Sequence, residues 1–290
     1  MNIFGIETSC DETAAAVVRD GVYEICSVVS SSADLHHKTG GVVPEVAARK
    51  QVEFIVPVVE ETLNQFGEGI DKIDALAVTV GPGLIGSLLV GVEAAKALSL
   101  AWDKPLIPVN HLVGHIYANW VDNPNSVEFP ALGLVVSGGH TDLVLMKGHG
   151  GMEFLGGTID DAAGEAFDKT ARLLGLAKYL GGVELSNKAA ECTNNTLVGR
   201  LPRPMLDRDN YDFSFSGLKT AVRRLVEGNN LPPEVVACEF ETAVVDVLVK
   251  KTIRAAKNHN VKSILLGGGV SANRPLRKRM SVEAKNINVD

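Results

Sequence analysis

Two histidines set four residues apart raise the first question of chemistry. The segment VNHLVGH places His111 and His115 on one face if it is helical. That spacing suits two ligands of one divalent transition metal. Two partly buried histidines satisfied by backbone are the plainer reading of the same pattern. A zinc peptidase of the HExxH type needs a glutamate beside the first histidine as its base. Leu112 stands there instead, so the simple peptidase reading fails.

Three glycine-rich stretches have the composition to present backbone N–H groups to an anion. GPGLIGSLLVG (81–91) lacks the Gly-Lys-Ser/Thr of a phosphate-binding loop, and a closely packed strand–helix turn explains it as well. VVSGGHT puts Ser137, Gly138, Gly139 and His140 at the tip of an expected hairpin, where they form either an oxyanion-binding turn or an ordinary one. LLGGGVSANRPLRKR offers Asn273 to a base edge or sugar. Its Arg274, Arg277, Lys278 and Arg279 face either phosphates or plain solvent.

Two further stretches carry charge near apolar positions. In TIDDAAGEAFDKTARLLG, Asp160 and Asp161 are expected to open a helix, and Asp168 shares the face of Asp161. Asp168 then meets either a ribose hydroxyl or Arg172 at i+4. In DRDNYDFSFSGLKTAVRR, Tyr211, Phe213 and Phe215 alternate with polar residues ahead of Lys219, Arg223 and Arg224. Such interleaving serves base stacking, and it equally serves apolar anchoring of a loop.

The elements that must position these residues follow from periodicity. Asn2 to Val18 and Leu132 to Met146 both read as strand, polar turn, strand, and Ser263 to Arg279 as strand, glycines, helix from near Ser271. The repeated hairpin suggests duplicated α/β domains facing a cleft. Glu45 to Gln65 is helical, with Val46, Val52, Ile55, Val56, Val59 and Leu63 as its apolar set and a kink or new start at Pro57. Glu239 to Asn258 is a second helix, and Asp122 to Pro130 reads as a linker.

Composition narrows the class. The 290 residues are 46% hydrophobic and 22% charged, which excludes wholesale disorder, collagen and coiled coil. Lys plus Arg number 28 against 35 Asp plus Glu, a net charge of −7, so any nucleic-acid surface must be local. Four scattered cysteines without a CxxC point to a reducing compartment. The uncharged stretch from Ala75 to Val92 is broken by Gly81-Pro82-Gly83 and reads as strand, loop and helix rather than a membrane span. No signal peptide is legible, and a cytoplasmic location is expected.

Taken in order, GIETSCDET, GGVVPEVAAR, GPGLIGSLLVG, NHLVGH, VSGGHT, IDDAAGEAFDKTARLLG, FSFSGLKT and GGGVSANRPLR closely resemble the TsaD family, from residue 3 to about residue 280. The SCDET opening with GGVVPE is similar to the bacterial branch. The resemblance implies an actin-like (ASKHA) α/β fold, two duplicated domains around a nucleotide-binding cleft. These would be 1–125 and 126–290, the first lacking its C-terminal closing helices. It implies an acyltransferase of tRNA modification, moving a threonylcarbamoyl group from threonylcarbamoyl-AMP to N6 of the adenosine just 3′ of certain anticodons. It assigns iron, or zinc, to His111 and His115, and the donor's site to Val135, Val136, Ser137, Gly138, Gly139, His140, Asp168, Gly182 and Asn273. Asp11 and Glu12, at the phosphate-loop position, are implied candidates for handling a proton.

Partners implied by the resemblance are TsaB as a heterodimer, the ATPase TsaE and the adenylate-making TsaC, with no membrane. This sequence departs from the family pattern in three places. The expected third ligand, an aspartate well after SANRPLR, has no counterpart before Asp290. Val113 stands where glutamate is usual, and Leu180 where proline is usual. Rival readings are a noncatalytic scaffold of the same fold and a metallopeptidase.

Overall fold

A computed structural model describes residues 1–33, 35, 42–124 and 127–290. They form two compact units, Met1–Ser126 and Val127–Asp290. Gly40 and Gly41 of the GGVVPE motif, and residues 125 and 126 of the expected linker, lie outside the described residues.

In the first unit, strands β1 (Asn2–Glu7), β2 (Glu12–Arg19), β3 (Tyr23–Ser31), β4 (Ala75–Gly81) and β5 (Leu106–Asn110) form one sheet in the order β3-β2-β1-β4-β5. The β1–β2 and β2–β3 pairs are antiparallel, and β1–β4 and β4–β5 are parallel. Alternation along β1 sends Phe4 and Ile6 into the core beside Val17, Leu76 and Val78. Helix α1 (Pro44–Phe66) covers them with Ile55, Val58, Val59 and Phe66. It runs unbroken through Pro57, where the sequence suggested a kink or restart. Pro57 sits on the exposed side, so the Glu53 carbonyl deprived of its donor has access to water. Val52 and Val56, expected in the apolar face, are instead 62% and 59% exposed.

Helix α2 (Ile85–Trp102) is long and apolar enough to cross a membrane by length and composition, yet it packs on β4 and α1. It leaves Ile85, Leu89 and Leu100 exposed. The short helix α3 (His111–Tyr117) follows β5 directly.

The second unit repeats the plan. Strands β6 (Ala131–Val136), β7 (Thr141–Gly148), β8 (Gly151–Gly157) and β9 (Ser263–Gly267) lie in the order β8-β7-β6-β9. Again two antiparallel pairs stand on one side of the first strand and a parallel one on the other. Around this sheet lie α4 (Ala163–Leu173), α5 (Gly182–Ala190), α6 (Ser216–Val226), α7 (Pro233–Asn258) and α8 (Arg274–Lys285). Helix α7 is buried on most of its circumference, and Phe240, Val244, Val247 and Leu248 are wholly enclosed. Asp160 and Asp161 precede α4 rather than opening it, since that helix begins at Ala163 after the N-cap Ala162. Helix α8 starts at Arg274, not near Ser271, because Asn273 caps it by accepting the Leu276 N–H at 2.9 Å.

Candidate functional site

The histidine pair is built by a cap. Asn110 ends β5 and its side chain accepts the N–H groups of Leu112 (2.9 Å) and Val113 (3.3 Å), which starts α3 with His111 in its first turn. His115 follows one turn later, and the ring centroids stand 4.4 Å apart at 71°. Behind them, His111 Nδ1 lies 3.3 Å from a Glu7 carboxylate oxygen and 3.2 Å from the Ser9 hydroxyl. Burial works to raise the Glu7 carboxyl, but hydrogen bonds from His111, Ser9 and Thr79 outweigh it and hold the pKa down at about 2. An ionised carboxylate only accepts, so Nδ1 is the donor in this bond, and in the neutral ring the lone pair then lies on Nε2 of His111. That is the tautomer a metal-binding histidine uses, with a carboxylate orienting it from behind.

This donor set fits part of a divalent-metal site. Among the described residues no group of three His, Cys, Asp or Glu side chains is placed to hold an ion. Glu7 and Ser9 escaped the sequence reading. Their only signal was position, at the strand end that leads into the acidic turn.

That turn is held from beneath by side chains of two helices. Gln51, fully buried on α1, donates to the backbone carbonyls of Thr8 (3.3 Å), Cys10 (2.9 Å) and Glu12 (3.0 Å). The Ser87 hydroxyl of α2 donates to the Cys10 carbonyl at 3.1 Å, and the backbone N–H of Leu84, just before that helix, to the Ser9 carbonyl at 2.8 Å. A Cβ at Gly83 would collide with Ser9, so the GPG loop works as a close-packed turn against this segment. Asp11 is half-buried and Glu12 exposed. Partial burial of its carboxyl, then the negative charges of Asp11 and Glu7, push the Glu12 pKa up.

In the second unit a cavity of about 1140 Å³ collects residues from five segments, among them Gly138, Asp168, Gly182, Ser186, Glu241 and Asn273. Asp168 on α4 accepts the Gly182 N–H at 3.0 Å, which fixes the start of α5. Burial raises its carboxyl above the usual value against the pull of that N–H and of the Arg172 charge. Asn273 donates from its amide nitrogen to the Ser186 hydroxyl (3.0 Å) and to Glu241 (2.7 Å). Its oxygen takes the Leu276 N–H, so this amide is largely spent within the protein. Glu241 is only 7% exposed, and burial lifts its carboxyl despite the bonds from Ser186 and Asn273. Ser186 and Glu241 therefore join the expected set. Nothing local marked them, because their partner is 87 and 32 residues away respectively.

The hairpin expected to line this site reaches it less fully. Val135 and Val136 have no exposed surface and belong to the core of β6. Ser137, Gly139 and His140 are outside the cavity lining, and Gly138 alone enters it. The turn is closed by the Ser137 N–H on the His140 carbonyl (2.8 Å) and by the Ser137 hydroxyl receiving the His140 N–H (3.1 Å). It packs so closely that a Cβ at Gly164 or Gly268 would strike the Ser137 or Val136 backbone.

The aromatic stretch is resolved in favour of anchoring. Phe213 and Phe215 are wholly buried, so neither stacks a base. Asp160 receives the hydroxyls of Ser214 (2.6 Å) and Ser216 (2.7 Å) and the N–H groups of Phe215 (2.8 Å) and Ser216 (3.3 Å). It caps α6, a helix more than fifty residues on. Asp161 pairs with Lys169 at 2.6 Å.

Both units thus carry an α/β layout built on one sheet plan, the second with a cavity of about 1140 Å³. Solved structures share the fold: HypF from T. kodakarensis matches with a TM-score of 0.66 at 15% identity over 98% of this chain and 44% of that one. The component A of (R)-2-hydroxyglutaryl-CoA dehydratase from Acidaminococcus fermentans matches at 0.57 and 14%, over 100% and 90%. The class is the actin-like α/β fold. The family model for tRNA N6-adenosine threonylcarbamoyltransferase, TsaD, matches residues 24–290. Curated relatives of that name are 52% identical in Thermomicrobium roseum (97% of this chain, 84% of that protein) and 55% in Dehalococcoides mccartyi (97% and 85%). The Bacillus subtilis protein is 52% identical over 98% of this chain and 82% of its own length. The chain belongs to the TsaD family of tRNA N6-adenosine threonylcarbamoyltransferases, and is an acyltransferase of tRNA modification.

Proposed function

We propose that the second unit holds threonylcarbamoyl-AMP and that the first supplies the metal ligands and the base for its transfer to tRNA. One observation carries the reading. Gly138, Asp168, Gly182 and Asn273, from four separate segments, line a single cavity of about 1140 Å³, ample for a nucleotide. Asp168 accepts a ribose hydroxyl there. Glu241 and Ser186, oriented by Asn273, complete the polar wall.

The acceptor is N6 of the adenosine 3′-adjacent to the anticodon in tRNAs reading codons that begin with A. Its lone pair is delocalised into the purine, so the amine is a weak nucleophile. The step forms a bond from N6 to the carbamoyl carbon and breaks the bond from that carbon to the adenylate oxygen. AMP leaves and N6 loses one proton. Glu12 takes it, since burial and the charges beside it make it more basic than an ordinary carboxylate. A divalent ion, iron by preference or zinc, held by His111 and His115, supplies Lewis-acid polarisation when bound. Glu7 keeps His111 in the tautomer that accepts it. Because the adenylate is already a good leaving group, positioning is the larger contribution.

The protein partners are TsaB and TsaE, acting in the cytoplasm. An exposed apolar surface supports a protein neighbour: Val52 and Val56 on α1, and Ile85 (75%) and Leu89 (51%) on α2, a pair of helices packed together.

The test is reconstitution with these partners, threonine, bicarbonate, ATP and unmodified tRNA, with threonylcarbamoyladenosine quantified by mass spectrometry. Product from the native chain and none from the H111A/H115A variant is the expected result. Undiminished product from that variant would remove the histidines from the mechanism.

A further inference from the structure

Nine of the 21 Lys and Arg of the second unit lie on two packed helices, in segments with a single acidic residue among them. The second half of α7, Val247–Asn258, has four Lys or Arg and no acidic residue, and α8 has five against the single Glu283. These segments carry a net +8 in a chain of net −7, which leaves −15 for everything else. Lys251 is the exception among the nine, buried and bonded to the carbonyl of Asp212, so eight cations remain toward the surface.

Geometry orders them into a track. Arg279 lines the large cavity of Asp168 and Asn273, together with Arg274 and Lys278. The same Arg279 also lines a separate depression of about 340 Å³, whose other cations are Lys250, Arg254 and Lys257. The two hollows therefore meet at Arg279 and Glu283, the one acidic residue they share. Two of these residues are set in advance. Arg279 is held by Asp246 at 2.5 Å, and Arg254 lies 5.7 Å over the Tyr211 ring while donating to the Asn210 carbonyl. Lys250 and Lys257, both exposed, make no ion pair among the described residues.

We propose that this track, running from the rim of the large cavity across α8 to the C-terminal half of α7, binds the phosphate backbone of the tRNA substrate. The inference rests on the reading of the chain as a tRNA-modifying transferase. An acidic protein meets RNA only where cations are gathered, and here they are gathered beside the cavity that serves the reaction. Lys250 and Lys257 act as point charges on phosphate. Arg254 and Arg279, with their planar groups already oriented, suit bidentate contact.

The experiment uses the chain assembled with its partner proteins and unmodified tRNA, comparing the native protein with K250E/K257E and a control, K72E/K147E. The control makes the same charge change at exposed lysines outside the track. Filter binding from low to moderate salt gives tRNA affinity and its salt slope, and AMP binding is measured in parallel. Loss of about tenfold or more in tRNA affinity for K250E/K257E, with the slope reduced by about two, is expected. The control and AMP binding should stay within twofold. Equal tRNA affinity in both double variants would overturn the proposal, as would a native assembly that retains no tRNA. Unchanged affinity with loss of assembly would assign the track to a protein partner instead. Failure to bind AMP, with tRNA binding behaving as expected, would fault the reading of the cavity and leave the track standing.

Discussion

Asn273 turns most of its amide inward, to Ser186, Glu241 and the first turn of α8, so on the proposed reading it acts on a nucleoside largely through those neighbours. N273A should therefore cost stability as well as affinity, about 1–2 kcal/mol from the lost cap and bonds, read by denaturant unfolding. D168A keeps the α8 cap intact but removes the acceptor of the Gly182 N–H and, on the proposed reading, of a ribose hydroxyl. Its KM for the adenylate should rise about tenfold to a hundredfold, with a smaller change in kcat. A D168A variant with native KM would take Asp168 out of the nucleoside contact. Asp246 makes the pH dependence testable. Burial opposes its ionisation, but the bonds from Arg279 and Arg203 lower its pKa below the ordinary 3.8. A depressed carboxylate stabilises fully above the unfolded value and loses that contribution as pH falls through the folded one. D246N should thus be less stable than the native chain at pH 7, and the gap should narrow below about pH 4 in urea melts at a series of pH values.

At the scale of elements, packing is settled by polar side chains on otherwise apolar faces. Gln51 lies on the buried face of α1 and satisfies three carbonyls of the turn that carries Asp11 and Glu12. Q51L fills similar volume but strands those carbonyls. It should destabilise by about 1–3 kcal/mol and lower transfer activity by more than the loss of folded protein explains. Equal loss of activity and of folded fraction would confine Gln51 to a structural role. Asp160 plays the matching part for α6, and D160A should cost about 0.5–2 kcal/mol. The helices at Glu45–Gln65 and Glu239–Asn258 were plain in the hydrophobic period, and so was the first hairpin of each sheet. The continuity of α1 through Pro57 was not. A proline's cost depends on whether the freed carbonyl faces water or core, and that is known only once the helix has a side to lie on.

The whole molecule is two copies of one sheet plan put to different uses. The first unit keeps a short helix with two histidines, and the second keeps the cavity and nearly all the concentrated positive charge. Exposed apolar residues on α1 and α2 give the first unit a surface suited to a protein neighbour. I85E/L89E should abolish heterodimer formation by light scattering while leaving chain stability within about 0.5 kcal/mol, since neither side chain is buried. Persistence of the heterodimer would place its interface elsewhere.

Several things about this protein were determined by the sequence alone. The His111–His115 spacing, the glycine turns, the amphipathic periods and the ordered motifs depend on residues within a few positions of each other. The family was legible from them, and so was Asp168 as a residue needing a partner. Tertiary structure alone decided who that partner is, why Val135 and Val136 are core, and that Phe213 and Phe215 anchor rather than stack. It also set Glu241 beside Asn273, Asp160 beneath α6, and Arg279 at the meeting of two hollows. A repeating pattern tells which face of an element turns inward, but not which distant face it meets. Hydrogen bonds and charge tracks form only where two such faces are brought together.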